Sequence, residues 1–358
     1  TNAADNSINR DALIGTLITS DKPVVVNTGS ANGSFHNGGA RDYGIDQIVG
    51  TDKIGSEYVF VKGGGNDGWE NVLIVAHEDT TTISINGGGV SATINKGEYY
   101  LIEGAQYNSN GNMYVQTSKP SFAYQGIGAN GSEANQSLFF VPPLSCENRG
   151  KVDNIPNIES IGSIIFSGGI TIVTNKNATV NINSQPIANF TTFGPFDVDG
   201  NANYVTYKVT NLTGPISIDS SDELYCAYFN QNGAATSGSF YSGFPSAPEI
   251  NFETKVSTLG NCIPNLTLQA ANTELFDSFD WLFNDETGAG FISIGITTSN
   301  FSPTLPGKYK LVGLINCSGL TFESEEVPVS LCPDDFDGDT IIDNLDVDID
   351  NDGILNCD

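Results

Sequence analysis

The 358 residues carry 14 lysines and arginines against 42 acids, a net charge of −28. A polyanion partner requires clustered cations, so this balance argues against DNA or RNA binding. No apolar run approaches the roughly 18 residues of a membrane span, while 40 glycines, a single methionine and abundant Asn, Thr and Ser describe an all-β chain of short strands and turns.

Taken from the N-terminus, the first region contains an internal repeat. Ser20-Asp-Lys-Pro-Val-Val-Val-Asn-Thr-Gly, followed by Ala31-Asn-Gly-Ser, matches Thr117-Ser-Lys-Pro-Ser-Phe-Ala-Tyr-Gln-Gly, followed by Ala129-Asn-Gly-Ser. A third copy begins at Ser221, 104 residues after Thr117, and sets Cys226 against Phe122. Another part of the unit recurs as Ile74-Val-Ala-His-Glu-Asp with Thr82-Ile-Ser-Ile-Asn, answered by Ile172-Val-Thr-Asn-Lys-Asn with Thr179-Val-Asn-Ile-Asn. Apolar and polar residues alternate in each, the period of a half-buried strand. Residues 1–245 therefore read as two full β units and a partial first one. A unit of about 100 residues is too long for one propeller blade and suits a sandwich. Tandem sandwiches are expected, with a propeller-like closure as the alternative.

Within this region, His36, Arg41, Asp42 and Asp46 gather in a glycine-rich insertion and form a possible ligand loop. The competing reading is a structural loop in which Arg41 neutralises Asp42 or Asp46. Gly63-x-Gly65-x-x-Gly68 and Gly126-x-Gly128-x-x-Gly131 match a dinucleotide fingerprint, but neither opens a helix, so both read as turns. His77-Glu78-Asp79 reads as a loop edge. No HExxH or GxSxG motif is present, and a non-catalytic chain is expected.

Phe244-Pro-Ser-Ala-Pro-Glu predicts a linker over 246–254. Residues 255–331 then read as a small sandwich, with strands at Leu266-Thr-Leu-Gln-Ala, Phe279-Asp-Trp-Leu-Phe, Lys308 to Ile315 and Glu326 to Leu331. Cys262, Trp281 and Cys317 have the order of an immunoglobulin core, although Trp281 could equally be an ordinary core residue. The six cysteines include no CxxC pair and the chain has two histidines, which argues against a zinc site and for disulfides in an oxidising compartment. Pairing within domains predicts Cys146 with Cys226, Cys262 with Cys317, and Cys332 with Cys357.

The last segment, 332–358, is the most informative. Asp335-x-Asp337-x-Asp339 recurs 13 residues later as Asp348-x-Asp350-x-Asp352, and Asp343 recurs as Asn356. Acids at positions 1, 3 and 5, a ligand at 9, an acid at 12 (Asp346) and a main-chain carbonyl at 7 (Ile341) make the hard-oxygen cage that calcium requires. Position 6 is the preferred glycine in the second loop, Gly353, but Thr340 in the first, where a β-branched residue is disfavoured if φ is positive. No helical pattern flanks the loops, which argues against an EF-hand.

Three resemblances follow from these residues. Asp21-Lys-Pro-Val-Val-Val-Asn-Thr-Gly-Ser, Gly39-Ala-Arg-Asp-Tyr-Gly-Ile-Asp-Gln-Ile and Phe139-Phe-Val-Pro-Pro-Leu-Ser-Cys resemble the N-terminal domain of IgG-Fc-binding protein as it occurs in large bacterial surface proteins. Residues 255–331 are similar to a PKD or immunoglobulin-like module, and 332–358 to thrombospondin type 3 calcium repeats. Together they imply a secreted cell-surface adhesin of the kind that gliding Bacteroidetes export by a type 9 system. In such proteins Asp followed by Ser or Thr can mark O-glycosylation, which would fall on Thr80 and Thr340. The expected function is a non-catalytic extracellular adhesion module with calcium rigidifying its C-terminal joint and a surface glycan or protein as partner. The alternatives are a secreted lectin or glycan-active enzyme and a structural subunit that self-associates into a filament through sheet edges.

Overall fold

The computed structural model describes residues 11, 13–33, 42–129, 133–233, 235–240, 247–257, 259–343 and 345–356. They form an all-β chain in two compact units, Thr1–Phe244 and Pro245–Asp358. Among the described residues no helix is long and apolar enough to cross a membrane.

In the first unit, each full repeat is organised around one long strand. Asn112–Ala129 pairs through its first half with Gly55–Val61 and Thr81–Ile85, and through its second half with Val72–Ala76 and Glu133–Phe140. Ile216–Asn232 pairs in the same way with Arg149–Ile155 and Val180–Ile182, then with Ser167–Asn175 and Ala235–Phe240. The register of Gly55–Val61 slips between Gly55, opposite Ser121, and Glu57, opposite Gln116, so the Lys119-Pro120 step of the repeat is a corner. Proline has no N–H to give a ladder, and a bulge is where a strand tolerates it. The strand thus serves two layers that fold over one core. In the first repeat this core holds Tyr58, Phe60, Ile74, Ile83, Met113 and Ala123; in the second it holds Ile170, Ile172, Val180, Ile218 and Cys226. Each repeat encloses a core of its own, with Phe229 and Phe240 of the second also packed against the first, and no propeller forms among the described residues.

The partial first copy is a hairpin of Asn27–Gly33 with Asp42–Gln47. Ile14, Val49 and Ile54 beside it cover the outer face of the first sheet at Leu73, Val75, Tyr124 and Phe140. A third apolar cluster, with Val59, Tyr114, Val173, Tyr204 and Tyr225, joins the two repeats.

The pairings shift the repeat alignment by one residue. Ile83 and Ile85 lie opposite Thr117 and Val115, whereas Val180 and Ile182 lie opposite Ser220 and Ile218, an offset of 103 between the long strands. Ile74 lies opposite Ala123 and Ile172 opposite Cys226. Cys226 therefore replaces Ala123, not Phe122, and it is a fully buried free thiol. The expected Cys146–Cys226 disulfide is overturned: the alanine site it fills points into the repeat's own core.

In the second unit, a three-stranded sheet of Glu249–Thr254, Leu266–Ala271 and Asn300–Phe301 faces a six-stranded sheet built on Ser278–Asn284 and Gly307–Ile315. Residues 249–254 are a strand antiparallel to 266–271, which corrects the linker expected over 246–254. Trp281, with no exposed surface, fills the space between the sheets against Leu266, Leu268, Phe301 and Tyr309. Its Nε1–H donates to the Thr298 carbonyl at 2.9 Å. Cys262 is bonded to Cys332, and neither to Cys317 nor to Cys357. The short strand Cys262–Ile263 runs parallel to Val327–Leu331, and this pairing carries Cys332 to Cys262. Cys146 and Cys317 each take part in a disulfide, and Cys357 lies outside the described residues.

Candidate functional sites

The two aspartate loops are built alike. In the first, Asp335 Oδ1 accepts the Gly338 N–H (2.9 Å) and its Oδ2 the Thr340 N–H (3.1 Å). In the second, Asp348 Oδ2 accepts the Gly353 N–H at 2.9 Å. Asp339 accepts the Ile341 N–H as Asp352 accepts that of Ile354, both at 2.8 Å. The loops close with Asp343 N–H on the Asp334 carbonyl and Asn356 N–H on the Val347 carbonyl, again both at 2.8 Å and 13 positions apart.

These bonds turn three acids of each loop inward. Carboxylate oxygens of Asp335, Asp337 and Asp339 lie within 4.8 Å of one another, as do those of Asp348, Asp350 and Asp352. Asp337 Oδ2 and Asp348 Oδ1 are shielded from solvent without any hydrogen-bond partner. The N–H of Asp339 pulls the Asp337 pKa down, but desolvation and the charges of Asp339, Asp346 and Asp335 outweigh it and the net shift is upward. An oxygen-seeking cation relieves both the unpaired oxygens and the repulsion, so the donor set fits one. Asp343 and Asp346 stand outside the triads: Asp343 accepts the Phe336 N–H, and Asp346 accepts the Asp348 N–H, tying the first loop to the start of the second. Asn356 contributes the closing N–H, and Ile341 the N–H on Asp339.

The other sequence candidates are dispersed. His36 and Arg41 lie outside the described residues, and Asp42 opens the strand Asp42–Gln47. Asp46 Oδ2 accepts the Phe140 N–H at 2.7 Å, and burial raises its pKa against that bond and the Gln47 N–H. It fastens the hairpin to the first sheet, a structural role. His77 meets the Phe122 ring edge-on, and Lys119 donates to the Asp79 carbonyl and pairs with Glu78, so this segment is a tied turn. Thr80 and Thr340 are exposed residues at φ +58° and +79°.

One cluster is not legible in the sequence although its glycines stand in the two motifs singled out above. Both glycine motifs converge on Glu70, which has no exposed surface. Gly63 N–H donates to its Oε2 (2.9 Å), and Gly65 (2.7 Å) and Gly128 (3.0 Å) donate to its Oε1. A Cβ on Gly65 would lie 2.4 Å from Gly128 Cα, so only glycine permits this approach. Gly126 and Gly128 belong to the long strand, not to a turn as expected. Burial pushes Glu70 up to about 7, against the pull of Gly63, Gly65, Lys208 and Gly128. Lys208 Nζ donates to the Gly63 carbonyl at 2.7 Å and sits 4.9 Å above the Phe229 ring. The signal available in sequence was a lone acid flanked by glycines in a motif that lacked its helix.

No curated protein matches the chain in sequence. The family described as IgGFc binding protein matches residues 4–240, both repeats and the hairpin that precedes them. The match spans more than half of the chain, which therefore belongs to the IgGFc binding protein family.

Proposed function

We propose that the chain is a non-catalytic, extracellular adhesion module whose C-terminal loops bind calcium and thereby become rigid. The observation that carries this reading is the pair of matched loops, each with three convergent carboxylates and one solvent-shielded oxygen that has no partner. Calcium takes six to eight oxygen ligands, and random acidity does not produce the same hydrogen-bond frame twice. Asp335, Asp337, Asp339, Asp343 and Asp346 with the Ile341 carbonyl would hold one ion; Asp348, Asp350, Asp352 and Asn356 would hold another. The bound ion supplies counter-charge, and the Cys262–Cys332 bond anchors the start of the first loop to the sandwich. Membership in a binding family supports a protein or glycan ligand on the repeated unit, and the disulfides support an oxidising, extracellular setting.

Thermal unfolding of the chain in millimolar calcium and in EGTA, beside calcium titration calorimetry, tests this. A ligand that binds only the folded state at about 100 times its Kd adds about 2.7 kcal/mol. A higher midpoint in calcium, with binding heat lost in a D337N/D350N double variant, is expected. Equal midpoints and no heat would overturn the calcium assignment.

A further inference from the structure

A cleft of about 230 Å³ opens between the two repeats of the first unit. Its walls include Lys62 and Asn110 from the first repeat and Phe193, Phe196, Tyr207 and Lys208 from the second. The aromatic wall depends on a bulge. Phe193 lies opposite Lys208 and Phe196 opposite Thr206, with Gly194 and Pro195 absorbing the register shift between them. In a regular strand, residues three apart point to opposite faces; the bulge turns both rings to one cleft, the re-aiming that bulges perform beside binding sites. Phe193 keeps 52% of its surface exposed, on the edge strand Thr191–Asp197, where an ordinary core phenylalanine would be covered.

The polar side of the cleft is cationic, which is unusual in a chain of net charge −28. Lys62 is paired with Asp67 at 2.5 Å. Lys208 is held by the Gly63 carbonyl and the Phe229 ring, and Gly63 is itself fixed by Glu70. Lys208 lines the cleft, and its ammonium has donor capacity beyond the one N–H on the Gly63 carbonyl. Exposed aromatic faces suit the C–H face of a sugar ring, an exposed amide such as that of Asn110 suits its hydroxyls, and a positioned ammonium suits a carboxylate. A neutral sugar would give the Lys208 charge no counterpart, and a small inorganic anion would leave the two phenylalanines unused.

We propose that this cleft is a saccharide-binding site for sugars that carry a carboxylate, with Phe193 and Phe196 as the stacking wall and Lys208 as the carboxylate contact. The proposal rests on the reading of the first unit as a binding module and is independent of the calcium loops. Isothermal titration calorimetry of the full chain with tetrasaccharides of polymannuronate, polygalacturonate and hyaluronan, against cellotetraose, tests it. At least one acidic tetrasaccharide is expected to bind, about tenfold more weakly to F193A and to K208M, and to weaken as salt rises, whereas cellotetraose does not bind. Phe193 is exposed, so F193A keeps the test valid if K208M fails to fold. Binding of none of the three acids, equal binding of cellotetraose, or unchanged affinity in F193A would overturn the proposal. Adhesion of chain-coated beads to the same immobilised polysaccharides separates the two readings. Adhesion that survives in F193A and K208M removes the cleft and leaves the adhesion module standing; no adhesion to these or to immobilised protein surfaces removes both.

Discussion

Thr340 and Gly353 hold the same position in two loops 13 residues apart, at φ +79° and +85°, each donating its N–H to the acid that opens its loop. The left-handed region costs an ordinary L-residue about 1–2 kcal/mol and glycine almost nothing. The first loop thus carries strain that the second does not. Thr340→Gly should relieve it, less the roughly 0.5–1 kcal/mol that glycine adds to unfolded-chain entropy. The net gain lies between about 0 and 1.5 kcal/mol, read as an affinity increase of no more than about twelvefold at one calorimetric site. Gly353→Thr should show the opposite sign at the other site.

Cys226 lies in the core place that Ala123 fills in the preceding repeat. Complete burial pushes its thiol pKa up, which suppresses the reactive thiolate. It should not react with a maleimide in the native state and should react once the chain is unfolded in guanidinium, counted by intact mass. Because alanine already serves this site once, Cys226→Ala should cost no more than about 1–2 kcal/mol. A disulfide at Cys226 would instead leave no label at that residue under unfolding, non-reducing conditions.

The alternation of apolar and polar residues made the strands legible, since a half-buried strand must repeat every second residue. The aspartate loops were legible for a related reason: their acids are local in sequence and recur in register. What escaped was set by pairing across distance. Six cysteines read along a line do not reveal that the parallel pairing of Cys262–Ile263 with Val327–Leu331 carries Cys332 to Cys262. The repeat motifs match at an offset of 104 but pair at 103, so the sequence sets Cys226 against Phe122 while the sheet gives it the core site of Ala123. Glu70 was invisible because its donors, Gly63, Gly65 and Gly128, come from two separate segments. The cleft likewise draws on residues 61–63, 109–111 and 193–208, and one of its walls exists only because of a bulge.

Cys262–Cys332 closes a segment with a sequence separation of 70. On the chain-entropy account, a loop of that length lowers unfolded-state entropy by an amount worth about 4 kcal/mol at 25 °C. The double variant C262S/C332S should therefore lose roughly 10–20 °C in the unfolding midpoint of the second unit. Calcium response should weaken as well, since the first aspartate loop begins three residues after Cys332. Differential scanning calorimetry in calcium and in EGTA reads both effects. An unchanged calcium increment in the double variant would show that the loops order themselves without the anchor.

Glu70 makes the stability of the first unit depend on pH with a sign opposite to that of a salt-bridged acid. Burial raises its pKa from the ordinary 4.5 to about 7, with Lys208 and the phenol of Tyr107 as the ionisable groups facing it. A carboxyl that holds its proton more tightly when folded stabilises the fold fully below about 4.5, and that contribution is lost as pH rises through about 7. A shift of this size amounts to about 3 kcal/mol between the two limits. Asp46 and Glu223, also raised by burial, act in the same direction. They are common to wild type and Glu70→Gln, so their effect cancels in the comparison. In the variant an amide NH2 would meet the glycine N–H donors, so it should be less stable at pH 5 by about 1–3 kcal/mol, yet lose less on going to pH 7.5. Urea unfolding at the two pH values measures both numbers. Identical pH dependence in wild type and variant would mean that the three glycine N–H groups and Lys208 hold Glu70 ionised throughout, and that its burial is compensated by those four partners alone.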